Sequence, residues 1–305
     1  MKTSFGICAD LHTDFIHDGP ERVKKFIKQC DRSDVDFYVQ LGDFCTPGEL
    51  RQDDNRAILG MLQNCSKPFY HILGNHDMDA NSKEDVLAYL GQKQANFSFD
   101  CGEVHFVVLD ASYYKSGEQY YSYDHGNYKK DTKNAEVPVV PPKVLAWLKD
   151  DLANAKYPSV IFSHQSLIES RTGIRNCDEF RQAIADAPKG VLMAMCGHEH
   201  VDRAEYKDGV WYVCLNSMSY YWAGEAYDHT TYGEIVEKEC PLLRFVFPYR
   251  EPLFATVTID NDSIYISGTE SEIVGMLPEK MSFKKEGFNE KITAVIQNRK
   301  LSLQK

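Results

Sequence analysis

Five separate segments of this 305-residue chain end an apolar, strand-like run on side chains that bind metal ions. Asp10 and His12 follow the run at 4–9 as Asp-Leu-His, and Asp43 follows the run at 37–41 as Gly-Asp. Asn75, His76 and Asp77 follow 68–73 as Gly-Asn-His-Asp. His164 follows 159–162, and His198 and His200 follow 191–195 as Gly-His-Glu-His. In open α/β sheets, ligands bind beyond the carboxyl ends of the strands. A fold that puts these strands side by side therefore delivers Asp, His and Asn from across the chain to one rim.

The periodicity between those points supports such a fold. Helices are predicted over 20–30, with Pro20 at the start and Val23, Phe26 and Ile27 on one face, and over 49–65 and 143–155. The alternation with strands argues for a parallel α/β core. Runs at 96–100 and 104–110 flank Cys101-Gly102-Glu103 and read as a hairpin, as do 254–259 and 263–267 around Asp260-Asn261-Asp262. A further strand is expected over 210–215. Two stretches break the rhythm. Residues 112–142 carry Tyr113, Tyr114, Tyr120, Tyr121, Tyr123 and Tyr128, and 217–252 carry Tyr220, Tyr221, Trp222, Tyr227, Tyr232 and Tyr249. Long insertions of this kind are either packed surface excursions or a substrate-binding rim. The expected organisation is one domain over 1–270 with inserts at 112–142 and 217–252, then a C-terminal extension over 271–305.

Composition removes several function classes. Lys and Arg total 34 against 45 Asp and Glu, a net charge of -11, which disfavours binding to long nucleic acid. No run approaches eighteen apolar residues, so no membrane span is expected. The N-terminus lacks the apolar stretch and small-residue cleavage site of an export signal. Nine cysteines without any C-x-x-C spacing exclude zinc-ribbon and thioredoxin readings and suit buried thiols in a reducing compartment, so a cytoplasmic location is expected.

Carboxylate and imidazole suit Mn, Fe, Zn and similar ions. One carboxylate, such as that of Asp43, can bridge two cations. A pair ~3.5–4 Å apart can bind phosphate oxygens and hold a hydroxide near neutral pH. Asp10-x-His12, Gly42-Asp43, Gly74-Asn75-His76-Asp77, His164 and Gly197-His198-x-His200 together resemble the calcineurin-like metallophosphoesterase family, in the family's order. The resemblance implies a four-layer α/β/β/α sandwich of two mixed β-sheets flanked by helices. It implies that Asp10, His12, Asp43 and His200 hold one metal, and that Asp43, Asn75, His164 and His198 hold the other. It implies that His76 contacts the substrate phosphate and protonates the leaving oxygen, with Asn75 beside it and Asp77 in support. The implied cofactors are two divalent or trivalent ions (Mn, Fe or Zn). The implied substrate is a small phosphate ester.

Departures narrow the group. Gly42-Asp43 continues Phe44-Cys45-Thr46-Pro47-Gly48, without the downstream Asp-Arg-Gly of protein phosphatases or the tyrosinate ligand of purple acid phosphatases. What remains is similar to the bacterial cyclic-nucleotide phosphodiesterase group, so a small phosphodiester, cyclic or nucleotide-linked, is the expected substrate. A nuclease, a phosphomonoesterase, a pyrophosphatase and a non-catalytic scaffold are the alternatives. Each motif alone also has a plainer reading. Asp10 and Asp43 could cap turns, and Asp77 could cap a helix over 83–89. Glu199 is expected to face solvent between two alternating histidines. His71 and His105 read as structural. His17, His125 and His229 are weaker pocket candidates, and Asp14 could support a ligand histidine. Cys45 reads as buried filler.

Overall fold

The computed structural model describes residues 2–44, 52–130, 135–281 and 292–303. Cys45, the first residues of the helix expected over 49–65, and 282–291 of the expected extension lie outside the described residues.

Two six-stranded sheets form the centre. In the first, Thr3–Cys8, Phe37–Gln40 and Phe69–His71 run parallel. Ala255–Ile259, Ser263–Gly268 and Arg299–Ser302 add antiparallel on the other side of Thr3–Cys8. In the second, Val104–Leu109, Ser159–Ser163, Val191–Cys196 and Val210–Cys214 are parallel neighbours. Phe97–Cys101 and Arg203–Lys207 form its antiparallel edges. Both sheets are therefore mixed, and only their centres keep the parallel order read from the sequence.

The two-residue period of strands distributes the apolar side chains into layers. Phe5 and Phe37 of the first sheet meet Phe106 and Phe162 of the second in a buried aromatic seam. Phe37 and Phe106 lie 4.9 Å apart, and Phe5 and Phe162 5.5 Å. Each such side chain contributes about 1.5–3 kcal/mol by leaving water. The alternate residues point outward. Val107, Leu109 and Ile161 pack on Leu148 and Leu152 of helix Pro142–Asn154 and on Phe180 of helix Cys177–Ala185. Cys8 and Tyr38 pack on Val23, Phe26 and Cys30 of helix Gly19–Arg32 and on Ile58 and Leu62 of helix Gln52–Gln63. The result is helix, sheet, sheet, helix.

Several elements were not legible in the periodicity. Arg203–Lys207 is too polar to read as a strand, yet Asp208 and Gly209 both take positive φ and turn it back onto Val210–Cys214. Arg299–Ser302 is fixed from outside the sheet. Arg299 donates to both carboxylate oxygens of Asp202 at 2.8 Å, and the Gln297 amide donates to one of them. Among the described residues, the two tyrosine-rich inserts carry pairing of their own. Tyr113–Ser116 pairs with Gln119–Ser122, and Tyr220–Trp222 with Val246–Pro248. Helix Lys83–Leu90 is capped by Ser82, whose side chain accepts from the Asp85 amide. Asp77 does not take that role.

Candidate metal centre

The parallel strands of both sheets deliver their carboxyl ends to one edge, and the sequence motifs begin there. Five of the motif residues leave the strands in left-handed backbone: Asp10, His12, Asp43, His198 and His200 have φ between 51° and 68°. Non-glycine residues in that region cost of order 1–3 kcal/mol each and concentrate at functional sites. Gly42 precedes Asp43 at φ 98°, and a Cβ there would stand 2.5 Å from Nδ1 of His164. Only glycine allows the Asp43 loop to pass so close to that imidazole.

The side chains converge in two groups, Asp10 with His12 and His200, and Asp43 with His164 and His198, each with its ligand atoms within 4.8 Å of one another. Asp43 stands between them. Its Oδ2 lies 3.0 Å from Nε2 of His164 and 3.7 Å from Nε2 of His12, while its Oδ1 accepts the His76 amide at 2.7 Å. Asn75 places its Oδ1 3.1 Å from His164 Nε2, and its amide nitrogen donates to the Tyr128 hydroxyl. The His198 amide donates to both oxygens of Asp10 at 3.1 and 3.0 Å, which ties the two groups together. His198 and His200 do not alternate on an extended segment. They sit in left-handed turns and enter different groups, and Glu199 is not solvent-facing: it pairs with Arg203 at 3.0 Å and lines the adjoining cavity.

The donor set fits metal ions on this structure's own geometry. Both ring nitrogens of His12 are buried without a hydrogen-bond partner. Its Nε2 is 3.9 Å from Asp10 Oδ1, too long for a hydrogen bond but suited to two ligands sharing an ion at about 2.0–2.2 Å from each. His164 contacts the Leu41 carbonyl through Nδ1 at 2.7 Å, so Nδ1 donates. Its Nε2 then faces Asp43 Oδ2, Asn75 Oδ1 and, at 3.1 Å, His198 Nδ1. Four electron-rich atoms converge where only a cation or a proton relieves their repulsion. His200 likewise turns Nδ1 to the Tyr220 carbonyl at 2.9 Å and leaves Nε2 3.4 Å from Asp10. The pKa directions agree. Burial opposes charge on His164, yet the Asp43 carboxylate pushes it up to about 10. Burial holds His12 and His198 well below the usual imidazole range, leaving neutral ligands.

Asp77 supports the loops. Its carboxylate accepts the amides of Asp43, Phe44 and Gly74 at 3.1, 3.2 and 2.8 Å. Burial and then the neighbouring Asp43 charge push it up to about 7. Sequence reasoning missed Asp79. It contacts His76 Nδ1 at 2.7 Å, and accepts from Tyr128 at 2.6 Å and Lys129 at 2.7 Å. Burial disfavours charge on His76, but Asp43 and Asp79 outweigh it and raise its pKa. The spacing of three residues after His76 was the available signal, and it reads as an ordinary turn residue until the ring is seen.

A cavity of about 880 Å³ opens onto His12, Asp43, His76, His198 and His200. Among the described residues, 112–142 contributes Lys129 to its wall and 217–252 contributes Tyr220, Trp222, Glu225 and Leu242. The first insert's tyrosines are not the rim: Tyr123 and Tyr128 stack at 4.4 Å and brace Asp79, and Tyr114 stacks on Tyr121. Of the weaker candidates, Asp14 lines the cavity 4.0 Å from His12, whereas His17 and His125 are exposed outside it. His229 is buried against Thr231 and the Val246 carbonyl. His71 is buried within the first sheet. His105 is clamped between Asp100 and Asp151.

Residues 3–202 match the calcineurin-like phosphoesterase family, and the chain belongs to it. With its two His/Asp clusters it is a metallophosphoesterase, a hydrolase of phosphate esters. No curated protein matches the sequence closely enough to count as a relative. Among solved structures it is similar to a dimetal phosphatase from Danio rerio, at 17% identity and a TM-score of 0.60, covering 90% of this chain and 98% of that one. It is also similar to GAP50, the anchor in the inner membrane complex of Plasmodium, at 14% identity and a TM-score of 0.55, covering 100% and 90%. These structural similarities show the shared sandwich fold alone. Among the described residues no helix is long and apolar enough to cross a membrane.

Proposed function

We propose that the protein hydrolyses a small phosphodiester, cyclic or nucleotide-linked, in the manner of the bacterial cyclic-nucleotide phosphodiesterase group. The observation that carries this reading is Asp43 Oδ2 standing between two His/Asp groups at the floor of a cavity far larger than a phosphate. Asp10, His12, Asp43 and His200 would hold one ion, and Asp43, Asn75, His164 and His198 the other, drawn from Mn, Fe or Zn. When bound, such a pair polarises phosphoryl oxygens and supplies hydroxide near neutral pH. His76, on the cavity wall with its Nδ1 tied to Asp79, presents Nε2 to the leaving oxygen and gives it a proton. Asn75, oriented by Tyr128, fixes the phosphate beside it. Asp77 holds the Asp43 and Gly74 loops in register.

We assign this chemistry to residues 1–270, with 112–142 and 217–252 as inserts and 271–305 as an extension. Free cysteines, most of them buried, support a cytoplasmic location. The test is a panel of phosphomonoesters, phosphodiesters and pyrophosphates, assayed on chelated protein with each metal restored, alongside metal content per chain. Preferred turnover of small diesters, with two ions bound, is expected. Preference for monoesters or for polymeric DNA in a salt-sensitive manner refutes it, and protein that binds no metal returns the scaffold alternative.

A further inference from the structure

A cavity of about 880 Å³ lies near the upper end of the ~300–1,000 Å³ that encloses a drug-sized ligand, so most of it faces the part of the substrate that does not react. Its wall is not uniform. Phe15 leans edge-on against His12 at 5.6 Å and against Trp222 at 5.5 Å, so the indole lies two ring contacts out from a candidate ligand. Trp222 is 37% exposed and lines the cavity. Its backbone is anchored, because Tyr220–Trp222 pairs with Val246–Pro248 and the same strand's Tyr220 carbonyl accepts from His200. The strand that presents the aromatic surface thus also orients one candidate ligand, His200.

The cations on the wall also differ. Lys129 is neutralised by Asp79 and Arg203 by Glu199. Arg171, in the segment that follows the His164 strand, is exposed at the cavity and has no side-chain partner among the described residues. A free guanidinium beside a site that already neutralises one phosphate is matched to a second anionic group, and its planar donors suit a phosphate.

We propose that Trp222 and Arg171 set specificity, Trp222 for a planar ring on the remote side of the substrate and Arg171 for a second phosphate. The substrate class is then a nucleoside diphosphate ester, in preference to a cyclic nucleotide: water adds to the outer phosphorus, the bond from that phosphorus to the ester oxygen breaks, and the alcohol leaves with the proton from His76, releasing the nucleoside diphosphate. This inference rests on the phosphoesterase reading above and narrows it.

Three substrates separate the two: an adenosine diphosphate ester, the matching diphosphate ester without the base, and an adenosine monophosphate ester. In W222A the selectivity for the base, measured as a ratio of kcat/KM, falls about tenfold, as loss of one stacking platform predicts. In R171A the selectivity for the second phosphate falls by about tenfold or more, chiefly through KM. A binding readout needs no turnover: α,β-methylene adenosine diphosphate quenches tryptophan emission in the wild type, and W222F loses most of the quench while Trp147 and Trp211 remain. Unchanged selectivity ratios in an active enzyme, or an undiminished quench in W222F, overturn the assignment while leaving the phosphoesterase reading intact. A metal-loaded wild type that hydrolyses none of the three overturns this inference, and one that also leaves cyclic nucleotides and other small diesters intact overturns the phosphoesterase reading as well.

Discussion

Replacing Asp79 by Asn tests whether His76 acts as an acid under the control of a positioning residue. The carboxylate accepts hydrogen bonds from Tyr128 and Lys129 and holds His76 Nδ1 at 2.7 Å. Asn keeps the shape and removes the charge. A hydrogen bond to a charged group contributes about 1.5–3 kcal/mol, so a bond that matters fully in the transition state is worth roughly 10–150-fold in kcat. General acid catalysis as a whole contributes ~10²–10⁴-fold, so D79N should fall short of His76→Ala, which loses most turnover while keeping both metals. The sign of the pH effect follows from the causes. Burial lowers the His76 pKa, while Asp43 and Asp79 raise it to a net upward shift. An acid must be protonated, so activity is lost as pH rises through that pKa. Removing the Asp79 charge lowers it, and the alkaline limb of the kcat profile moves to lower pH. The assay is kcat against pH on two diesters, one with a nitrophenolate and one with an alkoxide leaving group. The loss should be larger for the alkoxide, which needs the proton. An unmoved alkaline limb in D79N, or an H76A enzyme of normal rate on the alkoxide, would refute the reasoning.

Asp43→Ala should lower bound metal in elemental analysis and cut turnover by more than the ~10–100-fold typical of residues that only support a ligand, since Oδ2 faces both groups. Retention of two ions per chain would remove Asp43 from the shared position. Gly42→Ala places a methyl 2.5 Å from His164 Nδ1 at φ 98°, so thermal unfolding should show a loss of at least ~1–2 kcal/mol together with weakened metal binding. His105 bridges strand Phe97–Cys101 and helix Pro142–Asn154 through Asp100 and Asp151, and Asp151 is the larger cause of its raised pKa. Its stabilisation is complete below about 6.5, the unfolded value, and fades as pH rises through the higher folded value. H105Q should flatten that part of the Tm-against-pH curve, and an unchanged slope would show the pair to be inert.

Much of the sandwich could be read along the chain, because strand and helix periods are local properties. Phe5 and Ile7 alternate with Gly6 and Cys8, and Val23, Phe26 and Cys30 share one helix face, whatever the rest of the molecule does. The motif residues were equally legible, since metal chemistry restricts which side chains serve and the turns after strands say where they fall. Elements defined by their neighbours were not legible. Arg203–Lys207 is a strand because Asp208 and Gly209 turn it onto Val210–Cys214, and Arg299–Ser302 is one because it pairs with Ser263–Gly268 while Asp202 grips Arg299. The same division runs through the site. Composition marked two tyrosine-rich inserts, but only packing showed that Tyr123 and Tyr128 brace Asp79 while Trp222 faces the cavity. Alternation suggested a solvent-facing Glu199, but left-handed backbone at His198 and His200 turned it toward Arg203. Identity and local periodicity belong to the chain. Distances between residues more than a hundred positions apart, such as Asp43 and His164 at 3.0 Å, exist only once both sheets have closed on their shared core.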